Sequence, residues 1–258
     1  MRFYVIKSKF ILFLVFIFSC LAVLSSSFFS GSSGVLASVF FYKPTRVVPI
    51  YCVDRTDKKI ALTFDAAWGS DKTESIINIL KDNNIKATFF LVGMWVDKNP
   101  NLVKEIDESG FEIGTHSNLH PDFVRLDKTQ IELELTTSVS KIKNITGKEV
   151  LLFRAPFGSY NNLVLNTAKN IGLTTIQWDV DSLDWKGLSS SQITSNIITK
   201  TKSGSIILCH NNADNIVQAL PGIITNLKSR GYEFVTLSEL IYKDNYYIDH
   251  TGKQIKNV

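Results

Sequence analysis

Cysteine, methionine and histidine are scarce, at three, two and four in 258 residues. Three cysteines cannot build the disulfide framework of a small secreted scaffold. Fourteen glycines and six prolines exclude a collagen-like repeat or a low-complexity chain. With 45% hydrophobic and 20% charged residues, a disordered chain is also excluded. A concentrated basic surface is missing too. The formal charge of +4 is mostly N-terminal, because Arg2, Lys7 and Lys9 are matched by no acid before residue 39. Residues 39–258 hold 25 basic and 24 acidic residues, a net of +1. Nucleic-acid binding needs a clustered positive face, so no nucleic-acid partner is expected. The length suits one sizeable core, or two small domains at most.

A long apolar run is present at the N-terminus. Arg2, Lys7 and Lys9 precede an uncharged stretch over 10–24, which softens through Ser25–Ser27 and a Gly/Ser patch to Ala37. A basic n-region before such a run reads as a secretory signal or a single-pass anchor over 1–38. A membrane span needs about 20 apolar residues, and continuing to Phe29 reaches that length. The basic end should stay inside, which puts the rest of the chain outside the cytoplasm. Cys20 falls within the run and reads as a small apolar residue rather than a lipidation site. Cys52 and Cys209 could pair in an oxidising compartment, but sequence does not test their distance, and both are read as free.

Beyond residue 58, short apolar runs alternate with amphipathic stretches. The runs cover 60–64, 87–92, 111–114, 150–153, 174–178, 205–208 and 233–235. Helical periodicity occupies 74–81, 101–108, 129–145, 162–171, 191–202 and 216–227. Ser70 or Asp71 is expected to cap the first helix, and Gly110, Gly172 and Gly231 to close three others. This alternation predicts an α/β fold with a parallel sheet and crossover helices. About seven strands make a barrel with one unit missing, with an open doubly wound sheet as the alternative. The expected organisation is a membrane segment over 1–38, a linker over 39–57 with a peripheral strand, the α/β domain over 58–243, and a polar tail over 244–258.

In parallel α/β folds the chemistry lies just past the carboxyl ends of strands. Asp65 follows the first run, His116 and His120 the third, and Arg154, Pro156 and Phe157 the fourth. Asp179, Asp181, Asp184 and Trp185 follow the fifth, and Cys209 and His210 the sixth. Three of the four histidines therefore stand at strand ends. Two imidazoles four apart can converge on one metal, although the pair alone is a weak signal and also describes two solvated loop histidines. Asp65 and the Asp179/Asp184 group are candidate carboxylates beside them, and Asp65 reads equally as a helix cap. Arg154 lies among apolar neighbours and needs a buried carboxylate, for which Asp65 is the obvious candidate. An Asp184 partner would orient and charge-tune His210.

Thr63-Phe64-Asp65, His116-Ser117-Asn118-Leu119-His120, Arg154-Ala155-Pro156-Phe157-Gly158, Asp181-Ser182-Leu183-Asp184-Trp185 and Leu208-Cys209-His210 occur in that order. Together they resemble the five motifs of the NodB-homology polysaccharide deacetylases, carbohydrate esterase family four, over about residues 58–242. Phe64-Asp65 followed by Trp68-Gly69, with the N-terminal anchor, looks most like the sporulation-associated PdaB-like branch. The resemblance implies a distorted (β/α) barrel that removes acetyl groups from an N-acetylated glycan such as peptidoglycan or a chitin-like oligosaccharide. It implies Asp65 as general base, His210 as general acid, Arg154 as holder of the base and Asp184 as partner of the acid. It further implies His116 and His120 as ligands of a divalent metal, zinc or a similar ion. The Phe157 backbone N–H would be an oxyanion donor, with Trp185 and Leu208 as walls of the acetyl pocket. The expected setting is extracytoplasmic, in the spore envelope if the organism sporulates.

One position departs from the pattern. The family's first motif usually carries a second aspartate as a metal ligand, and here that position is Ala66. Two imidazoles without the carboxylate make a poorer, less negative metal site. Three readings follow: an active enzyme with an altered metal site, with Asp71 or Asp122 substituting; a catalytically silent glycan-binding module; or a spore-assembly scaffold. The intact base, arginine and His/Asp pair favour the first.

Overall fold

The computed structural model describes residues 46–257, and the membrane segment expected over 1–38 lies outside them. Among the described residues no helix is long and apolar enough to cross a membrane. The chain order is β1 (Cys52–Val53), β2 (Lys59–Ala66), α1 (Thr73–Asp82), β3 (Thr88–Leu91), α2 (Gly93–Lys98), α3 (Pro100–Glu108) and β4 (Glu112–Thr115). It continues with α4 (Lys128–Thr146), β5 (Leu152–Phe153), α5 (Asn162–Asn170), β6 (Thr174–Thr175), β7 (Val180–Asp181) and α6 (Ser190–Lys200). It ends with β8 (Ile206–His210), α7 (Ile216–Ser229), β9 (Glu233–Phe234), α8 (Leu237–Leu240), β10 (Tyr246–Ile248) and β11 (Lys253–Lys256).

The main sheet runs β6-β5-β4-β3-β2-β8-β7, with β9 added beside the start of β2. Its pairings are parallel, giving a half-barrel of seven strands wrapped by helices. Strand periodicity assigns the two faces. On β2, Ile60, Leu62, Phe64 and Ala66 join the cluster that packs against Ile76, Ile77, Leu80, Ile216 and Ile223 of the helices. Ala61 instead joins the barrel interior with Phe90, Leu152, Ile176 and Ile206. Thr63 and Asp65 share the parity of Ala61, so the strand delivers a carboxylate to the interior at its carboxyl end.

Each of the seven expected strands forms, although those expected over 150–153, 174–178 and 233–235 shorten to two residues each. All six expected helices form within a few residues of their predicted ends. Gly110, Gly172 and Gly231 adopt φ of 79°, 86° and 81°, the left-handed conformation that ends a helix at low cost. The expected cap of α1 is a correction. Lys72 occupies the cap position with no side-chain hydrogen bond, because the Asp71 carboxylate pairs with Lys72 Nζ at 2.8 Å and Ser70 offers only its carbonyl, to Thr73 N–H.

The described part of the expected linker, residues 46–57, and the expected tail are both built into the domain, the first contributing β1 and the second β10 and β11. β1 pairs parallel with β11, and β10 pairs antiparallel with β11. Ile50 bridges Ile176 beyond β6, and Cys52 bridges Ser205 before β8. Residues 50–53 thus tie together strands from the two sides of the barrel opening, between edge strands β6 and β7. The tail looked polar because its anchoring residue is Gln254, which is buried and exchanges two 2.8 Å hydrogen bonds with the backbone of Tyr242. Cys52 and Cys209 are buried free thiols.

Candidate active site

The site collects at the carboxyl ends of β2, β4, β5 and β8. Parallel register sets Asp65 beside His210 across β2 and β8, and hydrogen bonds its carbonyl to Asn211 N–H. Arg154, just past β5, is completely buried. Its Nη1 donates to Asp65 Oδ1 at 2.7 Å and to Thr63 Oγ1 at 2.9 Å, and its Nη2 to the Gln177 carbonyl at 3.2 Å. Its guanidinium also lies 4.2 Å from the Phe90 ring centroid. Burial alone would lift the Asp65 carboxyl, but the charge and hydrogen bond of Arg154, with the charge of His210, outweigh it and hold the group below the usual carboxylate range.

His116 is oriented by its other nitrogen. Nδ1–H donates to the Arg154 carbonyl at 2.8 Å, which leaves Nε2 facing Asp65 Oδ2 at 3.5 Å. Burial keeps the His116 pKa below that of a free imidazole despite Asp65, so the ring is neutral and its Nε2 lone pair is available. Carboxylate and imidazole therefore present two acceptors to one point of the cleft. His120 has φ of 62°, and its ring centroid lies 5.0 Å from that of His116. Burial and the neighbouring His116 push its pKa down to about 4.

The loop carrying the two histidines is clamped from both sides. The N–H groups of Gly93 and Met94 donate to the carbonyls of Ser117 and Asn118. Glu134 Oε2, on α4, accepts from Asn118 N–H at 2.9 Å and Leu119 N–H at 2.8 Å. Gly93 is needed here, since a Cβ would meet Asn118 Oδ1 at 2.4 Å. Sequence reasoning missed Glu134 because it sits on an ordinary amphipathic helix with no motif around it.

Asp184 gives both oxygens to His210. Oδ1 lies 2.7 Å from the ring Nδ1 and Oδ2 accepts the His210 backbone N–H at 2.8 Å. Burial pulls the His210 pKa down, but the Asp184 hydrogen bond and charge prevail and leave it raised. Its Nε2 is thereby left as the proton-bearing edge. Trp185 is exposed beside this pair, and Leu208 is buried on β8 opposite Thr63. Phe157 sits at φ 60° and ψ 8°, a strained left-handed conformation for a side chain of that size. Asp179 lies elsewhere: its carboxylate accepts from Ile206 N–H and Ser205 Oγ at the start of β8, the end away from the site.

The donors do not make a three-ligand metal centre. His120 Nδ1 is buried without a hydrogen-bond partner, and His116 Nε2 is pre-oriented, so two imidazoles are on offer. Among the described residues no further carboxylate stands in for the one that Ala66 lacks. Asp71 pairs with Lys72, and Asp122 is engaged by Ser159 Oγ at 2.6 Å and Arg125 Nε at 3.2 Å. Among the described residues no group of three or more His, Cys, Asp or Glu could hold a metal ion.

Residues 53–176 match the family model described as polysaccharide deacetylase. The peptidoglycan-N-acetylglucosamine deacetylase PgdA of Listeria monocytogenes is 37% identical over 200 residues, 77% of this chain and 42% of that protein. The chain thus spans less than half the length of that relative. A peptidoglycan-N-acetylglucosamine deacetylase of Bacillus cereus is 36% identical over 194 residues, 73% of this chain and 91% of its own length. A solved structure described as a carbohydrate esterase family four pseudoenzyme from Bacillus anthracis superposes with a TM-score of 0.72 at 34% identity, covering 74% of this chain and 68% of that one. A mutant of it, described as having restored enzymatic activity, superposes with a TM-score of 0.72 at 35% identity, covering 74% and 70%.

Proposed function

The chain belongs to the polysaccharide deacetylase family, and from that premise we propose that it removes acetyl groups from the N-acetylated sugars of a peptidoglycan-type glycan. One observation carries the reading: a base held ionised by Arg154 and an acid charged through Asp184 stand side by side on paired strands. A scaffold relieved of catalysis has no physical need for a buried Arg–Asp pair, which contributes little stability in itself.

In this reading a water on the open side of the cleft donates to both Asp65 Oδ2 and His116 Nε2, two acceptors 3.5 Å apart that it can bridge from above. Asp65 takes its proton as the water attacks the acetyl carbonyl. His210 then protonates the departing amine, which would otherwise leave as a poor, charged leaving group. The Phe157 N–H would donate to the oxygen that gains negative charge. The donor set lacks the third member of a metal site, and the roles of Asp65 and His210 rest on the chain's own residues. From the apolar segment expected over 1–38 we further propose that the domain lies outside the cytoplasm, tethered or released, with the spore envelope as its setting in a sporulating organism.

A second reading is favoured by Ala66 and by the likeness to a pseudoenzyme: a glycan-binding domain without catalysis. Acetate release from N-acetylglucosamine oligomers and peptidoglycan fragments separates the two. Wild type should release acetate, and Asp65→Asn should lower the rate by about 10²–10⁴-fold, the usual contribution of a positioned base. Glycan binding without acetate release from wild type would establish the second reading instead.

A further inference from the structure

Two large aromatic side chains stand exposed against the His120 ring, and Leu119, its neighbour in sequence, is exposed as well. Trp68 is 55% exposed, Leu119 61% and Phe157 69%. The Trp68 and Phe157 rings each meet the imidazole edge to face, at centroid distances of 4.5 and 4.7 Å. They form a continuous aromatic ridge on the β2–β4–β5 side of the cleft, bordering the Asp65–His116 pair. Such a patch normally marks a contact surface.

The mounting of Trp68 argues against an incidental surface residue. The next carbonyl, that of Gly69, accepts from Trp95 Nε1 at 2.7 Å and from Asn211 Nδ2 at 3.0 Å. Trp95 and Asn211 are both buried. Asn211 also donates through Nδ2 to Thr73 Oγ1 at 3.0 Å and through its backbone to the Asp65 carbonyl at 3.1 Å. Gly69 itself is left-handed at φ 64°. Two buried polar side chains thus fix a short loop to the end of the catalytic strand, and the large group this loop presents to solvent is an indole. A rigid aromatic face binds with little loss of conformational entropy.

We infer that Trp68 and Phe157 form a stacking platform for a neighbouring pyranose ring of the glycan, next to the sugar whose acetamide enters the cleft. This rests on the glycan-deacetylase reading above and names the specificity element of that site. The occupant is a neutral sugar: its axial C–H face matches an aromatic π-face in polarity and shape. The domain beyond residue 38, at a net charge of +1, offers no strong field for a polyanion.

The test is calorimetry of the full chain with N-acetylglucosamine oligomers of one to five units, with acetate release followed separately. Wild-type affinity should rise with oligomer length. Trp68→Ala should lose about tenfold in affinity for the longer oligomers, about 1.4 kcal/mol, with little change for the monosaccharide. Trp68→Phe should keep most of the affinity, and Trp68→Leu, which keeps bulk without a flat ring, should lose it like Ala. Thermal unfolding checks that each variant is folded. Wild-type affinity independent of length, or Trp68→Leu binding as well as wild type, would overturn the platform. If length-dependent binding needs Trp68 but no acetate is released, the platform stands and the deacetylase reading falls. If acetate is released and binding ignores Trp68, the platform alone falls.

Discussion

Asp184 commits both carboxylate oxygens to His210, one to the ring and one to the backbone. The folded pKa of His210 therefore exceeds its unfolded value of about 6.5, so protonation favours the fold. That contribution is fully present below about pH 6.5 and disappears as pH rises through the folded value. Asp184→Asn should thus cost about 1–3 kcal/mol at pH 6 and distinctly less at pH 9, as read by urea unfolding at the two values. Equal losses at both would mean that His210 is not charged by Asp184. Ala66 invites a second substitution. Its methyl is fully buried and belongs to the helix-facing cluster with Leu62 and Phe64. Ala66→Asp should therefore destabilise the metal-free protein by about 2–4 kcal/mol. For a domain of this size that is about 5–15 °C in Tm. Added zinc should recover much of the loss if the new carboxylate can join His116 and His120. A Tm indifferent to zinc would show that the site cannot be completed by that one change. At this scale the sequence brings Asp65, His116, Arg154, Asp184 and His210 forward because they follow apolar strand runs, and the structure sets them within contact of one another. It hides their supports: Glu134, Asn211 and the Gln177 carbonyl act through backbone contacts formed by residues of very different sequence position.

Elements that carry their own signal were legible, and those defined by a neighbour were not. The helix α4 announces itself through periodic Ile131, Leu135 and Ile142, with an Asp127–Gln130 capping box at its start and Gly147 at its end. β2 and β8 are buried on both faces, as expected of central parallel strands. In contrast, β7 is two residues long and exists because Val180 and Asp181 lie against Ile207 and Leu208. The helix α2 has six residues and begins where Gly93 and Met94 reach the carbonyls of the histidine loop. Its reason for starting there is a tertiary contact, invisible to local periodicity. The same holds for α1, whose expected cap failed because a lysine next in sequence took the Asp71 carboxylate.

At the scale of the molecule, the barrel is open between β6 and β7, and the N-terminal segment of the domain closes it. Ile50 N–H donates to the Thr175 carbonyl at 3.2 Å, and its own carbonyl accepts Gln177 N–H at 2.7 Å. The Gln177 carbonyl in turn receives Arg154 Nη2, so the staple reaches the arginine that holds the base through a single residue. The C-terminal strand β11 backs this arrangement by pairing with β1, and Tyr51 N–H donates to Gly252. The closing segment should therefore matter to stability far more than its short length suggests. Ile50 is 1% exposed in the interior cluster, and Val47 nearby is 40% exposed. Ile50→Ala should cost about 2–4 kcal/mol through lost burial and the cavity left behind. Val47→Ala should stay within about 0.5 kcal/mol. In thermal unfolding the first should lower Tm by about 5–15 °C and the second by no more than about 2 °C. If Ile50→Ala melts with wild type, the segment merely lies against the barrel, and closure rests on the sheet and helices alone.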